Sequence, residues 1–182
     1  TFELGNYVVW SNQMQDFGHR PYGEFEVEYP PGSVLLGNLP YLVSHDDYRV
    51  VFLVQTVVLD ALGLWAVWRI GRRRGSWWGV AAWLVLLPLL GPVAYTRLDM
   101  AVAACLAWTF ERLDARRWGW AGALLGLGAA IKVTPILLLP AVALAAPRRW
   151  RPVVAAGLVG TAVFAPFLRD LPEMWDQVVR YH

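Results

Sequence analysis

Between Val50 and Leu168 the chain is a succession of apolar runs broken only by short clusters of arginine. No other feature restricts the fold as much. A bilayer offers no water to a bare peptide group, so a chain that crosses it must satisfy its own backbone as helices or a closed barrel. Helical spans run ~17–25 residues, and the apolar runs here match that scale. Six segments are expected, at about 50–70, 76–94, 98–111, 118–133, 136–147 and 152–168. Composition argues the same way, with 57% hydrophobic residues, 16% charged residues and 11 Trp. The expected fold is all-α: a polytopic membrane bundle over residues 50–168, preceded by an extracytoplasmic loop with interfacial helices over 1–49 and followed at 169–182 by the start of a further loop. The lone Cys105 cannot form an intrachain disulfide, and a net charge of +2 does not suggest nucleic acid.

The arginines orient the segments. Arg69 with Arg72–Arg74, Arg112 with Arg116 and Arg117, and Arg148, Arg149 and Arg151 separate the runs on one side, against only Glu111 and Asp114. The positive-inside rule puts these clusters in the cytoplasm, flanked by an aromatic belt of Trp77, Trp78, Trp118, Trp120 and Trp150. Strict alternation of six segments gives the same answer. Residues 1–49 then lie outside, with seven carboxylates and two Arg. Trp118 to Pro147 offers about 30 residues for two passes, where two full spans need ~40. The turn at Lys132–Pro135 should therefore lie below the outer surface, where irregular backbone is tolerated only if buried in protein or lining a wet cavity. A re-entrant pair is the alternative.

The outer segments carry their own patterns. Tyr7, Trp10, Met14 and Phe17 form one helical stripe over residues 4–18, either an interfacial helix or one packed on the bundle, ended by Gly18. The stretch EFEVEYPPG, residues 24–32, alternates Glu24, Glu26 and Glu28 with Phe25, Val27 and Tyr29. Alternation predicts an extended run over 22–29 with its apolar face down. Pro30 and Pro31 stiffen its exit, and Ser33 could cap a short helix over 34–43.

Ionisable side chains gather at the outer mouth. Arg97 suits a phosphate, which a guanidinium grips bidentately, while Asp99 near a helix start gains from the dipole. Lys132, the only lysine, lies in an apolar run, where an ionisable group is a functional hypothesis by default. Asp60, mid-span in TVVLDALGL, is its expected structural partner. Simple pairing of Arg97 with Asp99 or Asp60, and solvated surface positions for the glutamates, are the competing readings.

These pieces resemble a known family. The stretch from Glu3 through GNYVVWS to GHRPYGEFEVEYPPG is similar to the first extracytoplasmic loop of GT-C glycosyltransferases of family eighty-seven, which include actinobacterial polyprenyl-phosphomannose-dependent mannosyltransferases. RLD, AGALLGLGAAIKVTPILLLP and the closing YH follow in the family's order. The resemblance implies an all-helical enzyme with its active site at the outer leaflet. The family's presumed catalytic Asp corresponds here to Glu3, a departure that moves the carboxylate by about one bond. The implied roles are Glu3 as general base, Glu28 as sugar-orienting group or second base, and Tyr7, Tyr29, Arg97, Asp99, Lys132 and His182 at the substrates. Arg97 and Lys132 would attend the phosphate, with Asp99 orienting Arg97. The implied partners are a polyprenyl-phosphate sugar donor, a glycan or glycolipid acceptor and the bilayer of the cell membrane, with no cofactor or metal. The sugar is expected to be mannose, moved with inversion; an arabinose-type pentosyl donor is the near alternative. A lipid or sugar transporter, or a non-catalytic scaffold, is the reading from another class. The chain, starting on Thr1, is expected to be a fragment of a longer protein.

Overall fold

The structure is a computed structural model that describes residues 2–179, with side chains described from Leu4 to Val178. Among the described residues it is helical throughout, with one isolated bridge between Pro21 and Phe25. The helices are α1 (Phe2–Gln15), α2 (Pro31–Val43), α3 (Tyr48–Arg74), α4 (Trp78–Leu89), α5 (Asp99–Asp114), α6 (Trp118–Ile131), α7 (Leu139–Ala145), α8 (Trp150–Phe164) and α9 (Leu171–Val179). Short 3₁₀ turns lead out of α4, into α7 and from α8 to α9.

The expected apolar segments all appear as helices, but they differ in reach. Two are long and apolar enough to cross a membrane: Tyr48–Arg74, and the α8–α9 run Trp150–Val178. At 1.5 Å per residue α3 extends about 40 Å, more than the hydrocarbon thickness. Trp78–Leu89, Trp118–Ile131 and Thr134–Ala145 are shorter. Val54, Val57 and Val58 of α3, Leu84–Leu86 of α4, and Leu144 and Leu158 point outward and exposed. An apolar perimeter of this kind belongs in lipid.

Helix ends are set locally. Gly75 ends α3 in the left-handed region (φ 63°), its N–H returning to Gly71 O, and Arg72–Arg74 occupy the last turn. Cations there complement the C-terminal dipole. α4 stops where Pro88 is followed by Gly91 at φ +63°.

The packing brings the three arginine clusters to one end. Arg69 Nε meets Glu111 Oε1 at 2.8 Å, Arg73 also donates to that oxygen, and Arg112 Nε lies 3.1 Å from Oε2. Arg73 and Arg74 clasp Asp114 at 3.1 and 2.7 Å. The end of α3 therefore sits beside the end of α5. Gly122 of α6 abuts Pro152 of α8, and Gly126 abuts Ala156 one turn on, so these helices run parallel with their starts side by side. Glu111 is fully buried, with Arg69, Arg73 and Arg112 around its carboxylate, the kind of pairing a buried charge requires.

Asp114, beyond the apolar segment, is held below the usual carboxylate range first by the Arg74 guanidinium, against an opposing push from burial, with Arg73 adding to the lowering. A depressed folded pKa gives stabilisation that is full above the ordinary Asp value of about 3.9 and is lost as pH falls below it toward the folded value. The melting-temperature advantage of the wild type over Asp114→Asn is thus expected to hold from neutral pH down to about 4 and to shrink below that.

The core lies at the opposite end, where α1, the 20–30 loop and α2 cover the ends of α3, α5 and α6. Tyr7 stacks on Phe52 at 5.5 Å and meets Trp10 edge-on at 5.4 Å. The stripe on α1 therefore faces protein: Tyr7 and Trp10 are buried, Met14 packs against them, and Phe17 lies exposed beyond the helix end at Gln15. In the following loop Glu24, Glu26 and Glu28 are exposed while Val27 is buried. The run is not extended over its whole length, because Tyr22–Glu24 forms a turn within it.

Candidate functional site

Three helix ends meet below this cover. α2 begins at Pro31, two residues before Ser33, so Ser33 does not cap it. Its buried hydroxyl instead donates to Ile131 O, in the last turn of α6, at 2.6 Å. Gly32 makes the approach possible, since a Cβ there would lie 2.6 Å from Ala130 O. A serine hydroxyl satisfies either a local helix end or a distant carbonyl, and here the otherwise unpaired end of α6 takes it.

α6 stops at Ile131, and Lys132 is extended (φ −148°, ψ 129°) with its N–H on Gly128 O. Lys132 is thus just outside the helix, and the extended backbone turns its side chain toward the start of α5. Its Nζ donates to Asp99 Oδ1 at 2.5 Å. Both side chains are about half exposed. The expected Asp60–Lys132 pair does not form. Asp60 lies mid-way along α3 and accepts from Trp83 Nε1 at 2.7 Å and Tyr95 Oη at 2.9 Å. Two neutral donors satisfy a carboxylate on one side of the bundle while the lysine emerges at its end. Asp99, expected to orient Arg97, gives its Oδ1 to Lys132.

Around this pair is a small, open pocket lined by Tyr7 of α1, Tyr29, Ser33 of α2, Arg97, Leu98, Asp99, Val102, Ile131 and Lys132. Residues far apart in sequence, from five parts of the chain, share one cavity. Its ionic lining is Arg97, Lys132 and Asp99, two cations to one anion. A singly charged phosphate would neutralise it. Coulomb attraction is stronger in a partly dry concavity than in bulk water.

The structure therefore brings Tyr7, Tyr29, Arg97, Asp99 and Lys132 together. It does not bring Glu28 into the lining: that carboxylate is exposed, on the face opposite Val27. The Glu3 side chain and His182 lie outside the described residues. Ser33, Leu98, Val102 and Ile131 were not legible as site residues, because small and apolar side chains carry no chemical signature. The only hint was Gly32-Ser33 directly after two prolines.

A model of glycosyltransferase family 87 matches residues 28–178 of the chain. That span includes Tyr29, Arg97, Asp99 and Lys132 and leaves Glu3 and Tyr7 outside. No curated protein and no solved structure matches.

Proposed function

The chain belongs to glycosyltransferase family 87, and from that premise we propose that this membrane glycosyltransferase moves mannose from a polyprenyl-phosphate donor to an extracytoplasmic glycan or glycolipid, with inversion. The observation that carries the reading is the convergence of Arg97 and Lys132, braced by Asp99, in one pocket at the end of the bundle away from the arginine clusters.

In this reaction the acceptor hydroxyl oxygen bonds to the anomeric carbon as the bond from that carbon to the phosphate oxygen breaks. The hydroxyl proton passes to a carboxylate, and polyprenyl phosphate leaves as an anion. The leaving group needs cations more than a strong acid. Arg97 offers a bidentate grip at the rim and Lys132 a point charge inside. Asp99 holds Lys132 in place before the donor binds and gives up that contact, in part, to the phosphate. Tyr7 and Tyr29 give the sugar aromatic walls with polar tips. Glu3 is the proposed base and Glu28 the second candidate; base catalysis typically contributes about 10²–10⁴-fold. With the arginine-rich end in the cytoplasm of a multi-pass cell-membrane protein, the pocket faces outward, away from soluble nucleotide sugars.

Membranes containing the protein are to be fed radiolabelled polyprenyl-phosphate sugars. Consumption of the mannosyl donor is expected, with loss of about 10² in rate for the true base on Glu3→Gln or Glu28→Gln. Consumption of a nucleotide sugar instead, with no lipid donor used, would overturn the proposal. Wild-type rates from both glutamine variants would end the base assignment alone.

A further inference from the structure

Gln177, on α9, touches the outer loop from the far end of the chain. Its Oε1 accepts from Val27 N–H at 2.9 Å, and its Nε2 donates to Tyr22 O at 2.9 Å. The two bonds span 150 and 155 residues of sequence. They hold both sides of the turn that precedes Glu28 and Tyr29.

Tyr22 is an unusual residue to find there. It sits at φ +69°, a region that bulky L residues rarely adopt. Such a conformation persists only where its surroundings over-determine it. Those surroundings are visible. Tyr22 N–H donates to Phe25 O at 3.0 Å, its ring meets Phe167 edge-on at 5.8 Å, and its hydroxyl donates to Tyr29 O at 2.7 Å. Arg20 Nη1, 3.4 Å from Asp170 Oδ1, docks the same loop on the turn before α9. Tyr29, tied in this way through Tyr22, forms part of the pocket wall. The loop is thus bound to α9 at one end and delivers a pocket residue at the other.

We propose that Gln177 is a positioning residue: through Val27 and Tyr22 it sets where Tyr29 and the neighbouring Glu28 stand relative to the Asp99–Lys132 pocket. The inference rests on the glycosyl-transfer reading above. A side-chain amide suits the task because it carries one acceptor and one set of donors in a plane, matching one N–H and one C=O. A carboxylate of the same length keeps the bond from Val27 and loses the one to Tyr22. Methionine keeps the bulk and loses both.

Hydrogen exchange over residues 22–29 and sugar transfer are measured on the wild type, Gln177→Met and Gln177→Glu in nanodiscs. In Gln177→Met, exchange at Val27 is expected to quicken about tenfold or more. Its kcat per folded molecule is expected to fall between about 10- and 10²-fold, as displacement of a reacting group does, with KM for the donor little changed. Gln177→Glu should fall between the two. A purely structural role would reduce the amount of folded protein and leave kcat per folded molecule at the wild-type value, which overturns the proposal, as does unchanged exchange at Val27. If the wild type consumes no lipid-linked sugar, the glycosyl-transfer reading fails separately. The positioning role is then decided by exchange at Glu28 and Tyr29, beside the pocket, with faster exchange there supporting it and a change confined to Val27 overturning it.

Discussion

Lys132→Gln is expected to lower sugar transfer on the order of 10²–10³-fold while leaving the protein folded, the usual cost of removing one preorganised group that meets developing charge. The two halves of this expectation come from the same pair. Lys132 and Asp99 lie 2.5 Å apart with side chains 41% and 45% exposed. Pairs that open to solvent contribute only about 0–1 kcal/mol to stability, so the melting temperature should barely move. Chemistry is another matter. Without the ammonium the ionic lining falls to Arg97 against Asp99, with no net positive charge left to hold the proposed donor's phosphate, and Asp99, having lost its partner, repels it. Lys132→Gln should therefore be worse than Lys132→Gln combined with Asp99→Asn, a non-additivity expected of groups in direct contact. Transfer rates in membranes and melting temperatures for the three variants test this. A wild-type rate from Lys132→Gln would remove the lysine from the mechanism.

The second large effect is on folding, at the seam between α6 and α8. A Cβ on Gly122 would lie 2.1 Å from Pro152 O and 2.4 Å from its Cα; one on Gly126 would lie 2.4 Å from Ala156 O. The obstacles are backbone atoms, so no rotamer change relieves them and the helices must separate. Small residues permit this closeness in membranes, where apolar burial between helices gives little drive and close van der Waals packing supplies it. Gly122→Ala or Gly126→Ala should each cost about 1–3 kcal/mol, the range for overpacking. Gly122→Leu is expected to leave no monodisperse protein. Gly157, with nothing within 4 Å of a built Cβ, is the control. There Ala should be neutral or stabilising by up to ~1 kcal/mol through helix propensity. Detergent-extracted yield and melting temperature distinguish these outcomes. Because α6 ends at Ile131, directly before Lys132, its displacement should also disturb the pocket, so activity in Gly126→Ala should fall further than stability alone explains.

Much of the fold was legible in the chain. The helices from α3 to α8 follow the apolar runs and are separated at the arginine clusters, although α4 stops at Leu89 inside the expected 76–94 segment, and the glutamates of the 24–28 run do point outward. These outcomes depend on residues within a few positions of one another. The resemblance to family 87 was carried by contiguous motifs and is shown by the match over residues 28–178.

What the sequence by itself determined, then, is a helical membrane protein of this family, with its charges sorted toward two ends. Those properties follow from local composition, because hydration of side chains and the geometry of one turn need no distant partner. Only the tertiary structure decided that Lys132 pairs with Asp99 and not Asp60, that Ser33 serves α6 and not its own helix, and that Gln177 holds the loop before Glu28. Each is a choice among partners that hydrogen bonding alone would allow. The oxygens of a carboxylate can accept from Trp and Tyr donors or from an ammonium, so which one it meets is fixed by where closely packed helices end in space.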